Sequence, residues 1–304
     1  TNYVFDERDL LWKVTDAEGN VTEYTYDTNG NLKEIKDAKG NTTAYANDDF
    51  DRLIKTTYAD ASFEEYTYDT NSNLSTKKDP KNQTIYYEYD ALNRLNEKGL
   101  SPKGTVPDSV VTYAYDKGSR LKQIIAQTGT IAYDYDAANR VTKVTYPDTK
   151  AVNYEYDSNS NRTKLTYPDS TYISYEYDQL NRLSAIKDQA AQTIASYAYD
   201  SLSRRKQLDY ANNTQSTYAY DDANRLLSQV NKINGGATIS SFSYTYNKVS
   251  NRKTMATPSG THNYTYDKIY QLKAVDYPAG ATFPDTTFTY DKLGNRTQTL
   301  DGGT

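Results

Sequence analysis

Four pairs of an acidic and a basic residue at one spacing are the side chains best suited by type to do chemistry: Asp90 with Arg94, Asp136 with Arg140, Asp178 with Arg182, and Asp221 with Arg225. A carboxylate four residues from a guanidinium could act as a general base or clamp a charged ligand. Catalysis needs one site, however, and this pairing returns along the chain. Repetition points to structure: Asp accepting backbone N–H bonds at a turn, with Arg lying on a tyrosine face or pairing with the Asp. His262 is the single histidine, so a Ser-His-Asp triad would depend on it, and Gly260-Thr261-His262-Asn263-Tyr264 reads as a turn entering a strand. The chain contains no Gly-x-Ser-x-Gly, phosphate loop, dinucleotide fingerprint or zinc spacing. Asp48-Asp49-Phe50-Asp51 could attract Ca²⁺, but no EF-hand or glycine-rich nonapeptide surrounds it. No catalytic residue, cofactor or metal is therefore expected.

The elements that would position these residues are repeats. Tyr-x-Tyr-Asp or a close variant begins at residues 3, 24, 45, 66, 87, 113, 133, 154, 175, 197, 218, 244, 264 and 288, mostly 21 residues apart. Clear copies are Tyr24-Thr25-Tyr26-Asp27, Tyr87-Glu88-Tyr89-Asp90, Tyr133-Asp134-Tyr135-Asp136, Tyr154-Glu155-Tyr156-Asp157, Tyr175-Glu176-Tyr177-Asp178 and Tyr218-Ala219-Tyr220-Asp221. Asn-Arg-Leu or a relative follows, as at Asn93-Arg94-Leu95 and Asn181-Arg182-Leu183, with Asn161-Arg162 as a shifted version. Midway to the next copy lies a second turn signal, such as Asp37-Ala38-Lys39-Gly40-Asn41 or Tyr167-Pro168-Asp169. Side chains alternate along a strand, so both rings of Tyr-x-Tyr share one face. Each repeat thus reads as a β-hairpin, bounded by Gly, Pro, Asn and Asp. Such a period marks a repeat architecture.

These motifs resemble the YD-repeat, or RHS (rearrangement hot spot), family of bacterial Rhs and wall-associated proteins, Tc toxin shell subunits and teneurins. The resemblance runs from Tyr3 to about Leu300. It implies an extracellular or cell-surface wall that encloses, extends or scaffolds, with further YD repeats and an enclosed polypeptide cargo as partners. Asp291–Thr304 lacks the Asp-Pro-x-Gly-Leu signature that accompanies autoproteolysis in toxin relatives. What the resemblance implies here is a wall without a protease.

The architecture expected is all-β: about fourteen hairpins in a continuous antiparallel sheet coiled into a hollow spiral. Roughly 28 strands at about 4.8 Å each give a ribbon near 130 Å, and twisted sheets of more than about ten strands curl. Only 36% of the chain is hydrophobic, and 33 residues are tyrosine, so repeats should bury themselves on neighbours and not around one thick core. Tyrosine rings are expected to form cross-strand ladders. Residues 99–109 and Asn234-Gly235-Gly236 lengthen two hairpin turns, six repeats apart, and are expected at equivalent places on successive turns of the spiral. No domain boundary is visible, and ordinary repeats at both ends suggest an excerpt of a longer array or a stacking protomer.

A net charge of −5 gives no electrostatic reason to expect nucleic acid or an anionic membrane. The sequence holds no apolar run of about 18 residues and no cysteine. The alternative to a scaffold is carbohydrate binding or adhesion, with exposed Tyr, Asp and Arg stacking on sugar rings and bonding their hydroxyls.

Overall fold

A computed structural model describes residues 1–100 and 110–302. Nearly all of the lengthened turn at 99–109 lies outside the described residues. Among these there are 28 antiparallel strands and no helix. Internal contacts divide the chain into two compact units, Thr1–Asn153 and Tyr154–Thr304, each made of the same hairpin.

One repeat shows how the sequence makes it. The strand Val21–Tyr26 carries Tyr24 and Tyr26 on one face, with exposed Thr25 between them on the other. Asp27 then closes a five-residue turn: its N–H donates to the carbonyl of Asn31 at 2.9 Å, and the N–H of Gly30 donates back to the Asp27 carbonyl at 3.2 Å. The fourth turn residue must be left-handed, which suits Gly30 at φ 90°. Elsewhere short polar residues, such as Ser72, Asn93, Ser119, Asn181 and Asn224, take this place with φ between 58° and 67°. Midway turns use the same geometry, as where Asp37 N–H bonds the Asn41 carbonyl at 2.9 Å and Gly40 has φ 87°.

The return strand contains a bulge in most repeats. Tyr24 lies opposite Ile35 and Tyr26 opposite Leu32, leaving one extra residue, Lys33, on the return side. The same shift brings Leu183 opposite Tyr177 and Ile186 opposite Tyr175. Without it, two residues three apart would face opposite sides of the sheet. The bulge turns both aliphatics toward the tyrosines.

Because strands alternate direction within each unit, every turn after a Tyr-x-Tyr-Asp motif lies on one rim and every midway turn on the other. The core between is thin. Among the described residues its buried apolar members are Ala185, Ala195, Leu208 and Val275, and no large side chain is fully buried. The insertion near Asn234 differs from expectation: it is taken up mostly by two longer strands, Leu226–Ile233 and Thr238–Tyr246, and only residues 234–237 remain between them.

Candidate functional site: a relay along the motif rim

Asp90 organises its turn with one oxygen. Its Oδ1 accepts the N–H groups of Leu92 at 2.9 Å and Arg94 at 3.1 Å, while Oδ2 accepts Nε of Arg94 at 2.7 Å. Arg94 then reaches forward into the next repeat. Its Nη1 donates to Ser119 Oγ at 3.0 Å, and its guanidinium lies 4.5 Å from the ring centre of Tyr115. One side chain therefore closes its own turn, fastens the following turn and covers the following motif's second tyrosine.

Arg182 repeats this, with Asp178 at 2.7 Å, Ser203 at 3.0 Å and the Tyr199 ring at 4.6 Å. Arg225 pairs with Asp221 at 2.7 Å, donates to the Asn247 carbonyl at 3.2 Å and covers Tyr246 at 5.0 Å. Arg140 holds Asp136 at 2.7 Å. Arg52, Arg120 and Arg204, which sequence reading left aside, occupy the same place and cover Tyr68, Tyr135 and Tyr220 at 4.6, 4.7 and 4.9 Å. Their signal was present: each lies four residues after a motif-ending Asp.

Where the fifth residue is Asn, a shorter version forms. Asn31 donates to Asp27 Oδ2 at 3.1 Å and forward to Asp51 Oδ1 at 2.6 Å, and Asn29 joins it on Asp51 at 3.0 Å. Asn161 likewise bridges Asp157 at 2.9 Å and Asn181 at 3.1 Å. Arg162 is therefore no relay member. It begins the return strand, lies 4.6 Å from the ring of Tyr175 and donates to its hydroxyl at 3.1 Å.

The second motif tyrosine also works across repeats. Among the described residues at least ten such hydroxyls donate to a carbonyl of the preceding repeat, including Tyr26 to Leu11 at 2.8 Å, Tyr135 to Leu121 at 2.7 Å, Tyr177 to Arg162 at 3.0 Å and Tyr220 to Arg205 at 3.0 Å. The first tyrosines face the return strand: Tyr87 lies opposite Lys98, Tyr133 opposite Val144 and Tyr218 opposite Gln229. Tyr89 is half-buried opposite Leu95. Tyr154 and Tyr156 hold the two motif positions of the strand Ala151–Tyr156.

The expected tyrosine ladders give way to this arrangement. Among the described residues, ring-on-ring contacts are found between His262 and Tyr277 at 5.3 Å and between Tyr277 and Phe283 at 6.2 Å, and neither joins two motif tyrosines. The reason is topological. A return strand separates successive motif strands, so their rings start about 9.6 Å apart, beyond the roughly 4.5–7 Å of an aromatic pair. Guanidinium groups and aliphatics fill that gap.

Electrostatics follows the hydrogen bonds. The Asp90 and Asp178 carboxyls are held below the usual carboxylate range, first by the Arg94 and Arg182 side chains. For Asp136 and Asp221 the backbone N–H of the paired arginine leads. At Asp27 desolvation is the largest cause and pushes upward, but the bonds from Asn31, Asn29 and Gly30 together outweigh it. Burial raises the phenols of Tyr26, Tyr89, Tyr135, Tyr177 and Tyr220, favouring the neutral donor.

The acidic run near 48–51 is engaged in the same way. Asp48 pairs with Arg52 at 2.7 Å, and Asp51 accepts Asn29 and Asn31. Among the described residues no group of His, Asp and Glu is placed to hold a metal ion. His262 lies opposite Met255 with its ring edge-on to Tyr277. The geometry makes a clasp repeated along a rim.

Two outcomes test the relay. Arg94→Ala should cost about 1 kcal/mol through the lost ring contact and should speed amide exchange at 116–120, in the next turn, as well as at 90–94. Exchange raised only at 90–94 would show that the forward contact carries nothing. The relay also has a faulty link: the amide Nδ2 of Asn251 is buried without a partner, and the left-handed place of the next turn holds Tyr270 at φ 69°. Tyr270→Asn supplies an acceptor and a residue that tolerates that backbone, so it should stabilise by about 1 kcal/mol in thermal melts.

The profile of the RHS Repeat family matches residues 5–42, 26–62, 115–151 and 135–172, each match covering about two hairpins. The matched stretches, 5–62 and 115–172, are RHS repeats. No curated protein matches the sequence. Among solved structures, TcdB2-TccC3 without its hypervariable C-terminal region superposes with a TM-score of 0.84 at 15% identity, over 99% of this chain and 19% of that one. TcdB2-TccC3-Cdc42 gives 0.83 at 15% identity, over 99% and 19%. The Photorhabdus luminescens Tc holotoxin pore with the TccC3-D651A mutation gives 0.82 at 14%, over 98% and 18%. The chain shares their fold and spans about a fifth of their length.

Proposed function

We propose that these repeats are wall: a segment of an extracellular or cell-surface shell, tube or fibre whose work is to enclose or scaffold, with a secreted polypeptide such as a toxin as the cargo in the enclosing case. The observation that carries this is the relay. Asp90, Arg94 and their counterparts spend their polar atoms on one another and on the next repeat, which suits a sheet that must hold together over many hairpins. The fold shared with TcdB2-TccC3 supports the same reading. Electron microscopy of native, full-length material tests it: closed hollow particles, tubes or fibres are expected, and a compact globular particle would refute it.

A second reading, glycan binding, draws on different tyrosines from those first considered. Most second motif hydroxyls are bonded and many of their rings covered, whereas Tyr146, Tyr167 and Tyr210 stay about 40% exposed on the opposite rim. Glycan-array binding lost in Tyr167→Ala and Tyr210→Ala, with the melt unchanged, would favour it. Silent arrays would leave the wall alone.

A further inference from the structure

We propose that the last three motif turns of the second unit form a docking rim for an acidic, leucine-striped α-helix. These turns are Asn247-Lys248-Val249, Asp267-Lys268-Ile269 and Asp291-Lys292-Leu293. The four turns before them in that unit carry Ser158-Asn159, Gln179-Leu180, Ser201-Leu202 and Asp222-Ala223 instead. Only the last three join a cation to a branched aliphatic.

The three dyads are presented alike. The backbone N–H of Val249, Ile269 and Leu293 is fastened to the side-chain oxygen of Asn247, Asp267 and Asp291 at 3.1, 3.0 and 2.8 Å. This fixes the turn apex in one pose three times over. Val249 and Leu293 are 49% and 43% exposed, Ile269 is half-buried, and all three lysines are exposed. The relay positions here hold Asn251, Gln271 and Asn295 in place of arginine, so lysine supplies the rim's positive charge.

Spacing and charge select the partner. Successive dyads stand two strands apart, about 9.6 Å. A helix with leucine at every seventh position presents one every 10.5 Å or so, a mismatch of about 2 Å over three dyads. An extended strand shows same-face residues at multiples of about 6.7 Å and falls out of step at once. Glutamates flanking each leucine would meet the lysines and steer the encounter.

The test is fluorescence anisotropy on this 304-residue chain with a labelled 24-residue peptide carrying leucine at every seventh position and glutamate beside each. Saturable binding is expected, weakened at least tenfold by Lys248→Glu, Lys268→Glu and Lys292→Glu together, and again by Val249→Ser, Ile269→Ser and Leu293→Ser together. Melts are run beside each variant, and a loss of binding supports the proposal where the melt matches the parent. Salt dependence of the unaltered protein provides a readout free of substitutions, and affinity should fall as salt rises. Absence of binding, binding indifferent to salt or to both triple variants, or capture by phosphatidylserine vesicles without the peptide would overturn the proposal. It is independent of the wall reading, because a wall segment need not bind a helix.

Discussion

Replacing Gly129 with alanine is expected to destabilise the first unit by roughly 2–5 kcal/mol, far more than the same change at Gly40. Gly129 closes a two-residue hairpin turn opposite Ala126 and takes φ 119°, a conformation closed to L side chains. A Cβ there would stand 2.5 Å from Cβ of Pro147, in the next midway turn. Strain and overlap add, because neither the glycine nor the proline ring can yield freely. At Gly40 the added methyl meets nothing within 4 Å, so only the cost of φ 87° remains, about 1 kcal/mol. Gly260 should behave as Gly129 does, since its Cβ would lie 2.4 Å from Pro278 Cβ at φ 126°. Chemical denaturation of Gly129→Ala and Gly40→Ala side by side reads the difference. Equal losses would show that the midway rim has room to relax and that Pro147 is not a fixed wall.

That contact was invisible in the sequence, whereas the hairpin containing it was not. The motif spacing places both rings of Tyr24 and Tyr26 on one face, and the strand Val21–Tyr26 shows them there. Gly, Asn and Asp mark turns because they tolerate the left-handed place, and Gly30, Asn93 and Asn181 occupy it. What escaped was anything fixed by the neighbouring strand. Leu32 and Ile35, three apart, look out of step with a strand until the bulge at Lys33 brings both to the tyrosine side. The ladders were expected because a motif count treats repeats as adjacent, yet each hairpin inserts a return strand between one Tyr-x-Tyr and the next. The forward half of the relay escaped for the same reason: Arg94 and Ser119 are 25 residues apart, and nothing local links them. Arg162, one place further along than Arg94 relative to its Asp, shows how a single position exchanges a turn clasp for a ring contact.

Alkaline solution is expected to dismantle the fold cooperatively, and the sign follows from the phenols. Burial raises several second motif tyrosines above their ordinary value near 10, among them Tyr135, Tyr199, Tyr246 and Tyr266. A group whose pKa is higher folded than unfolded contributes stability that is complete below its unfolded value and is lost as pH rises through the folded one. Each ionisation also removes the proton that holds a carbonyl of the preceding repeat, as between Tyr135 and Leu121, and leaves an anion facing that oxygen. Because this bond recurs along the sheet, small losses accumulate over neighbouring repeats. Circular dichroism against pH should stay flat to about pH 10 and then fall steeply, in step with phenolate absorbance. On the acid side the turn carboxylates act in the opposite sense: Asp48, Asp90 and Asp178 are lowered first by their arginines, so their contribution is present above about pH 4 and is lost as pH falls through the lowered values. Phenolate forming well before the β signal changes would mean that the hydroxyl bonds contribute little and that the paired backbone alone sustains the sheet.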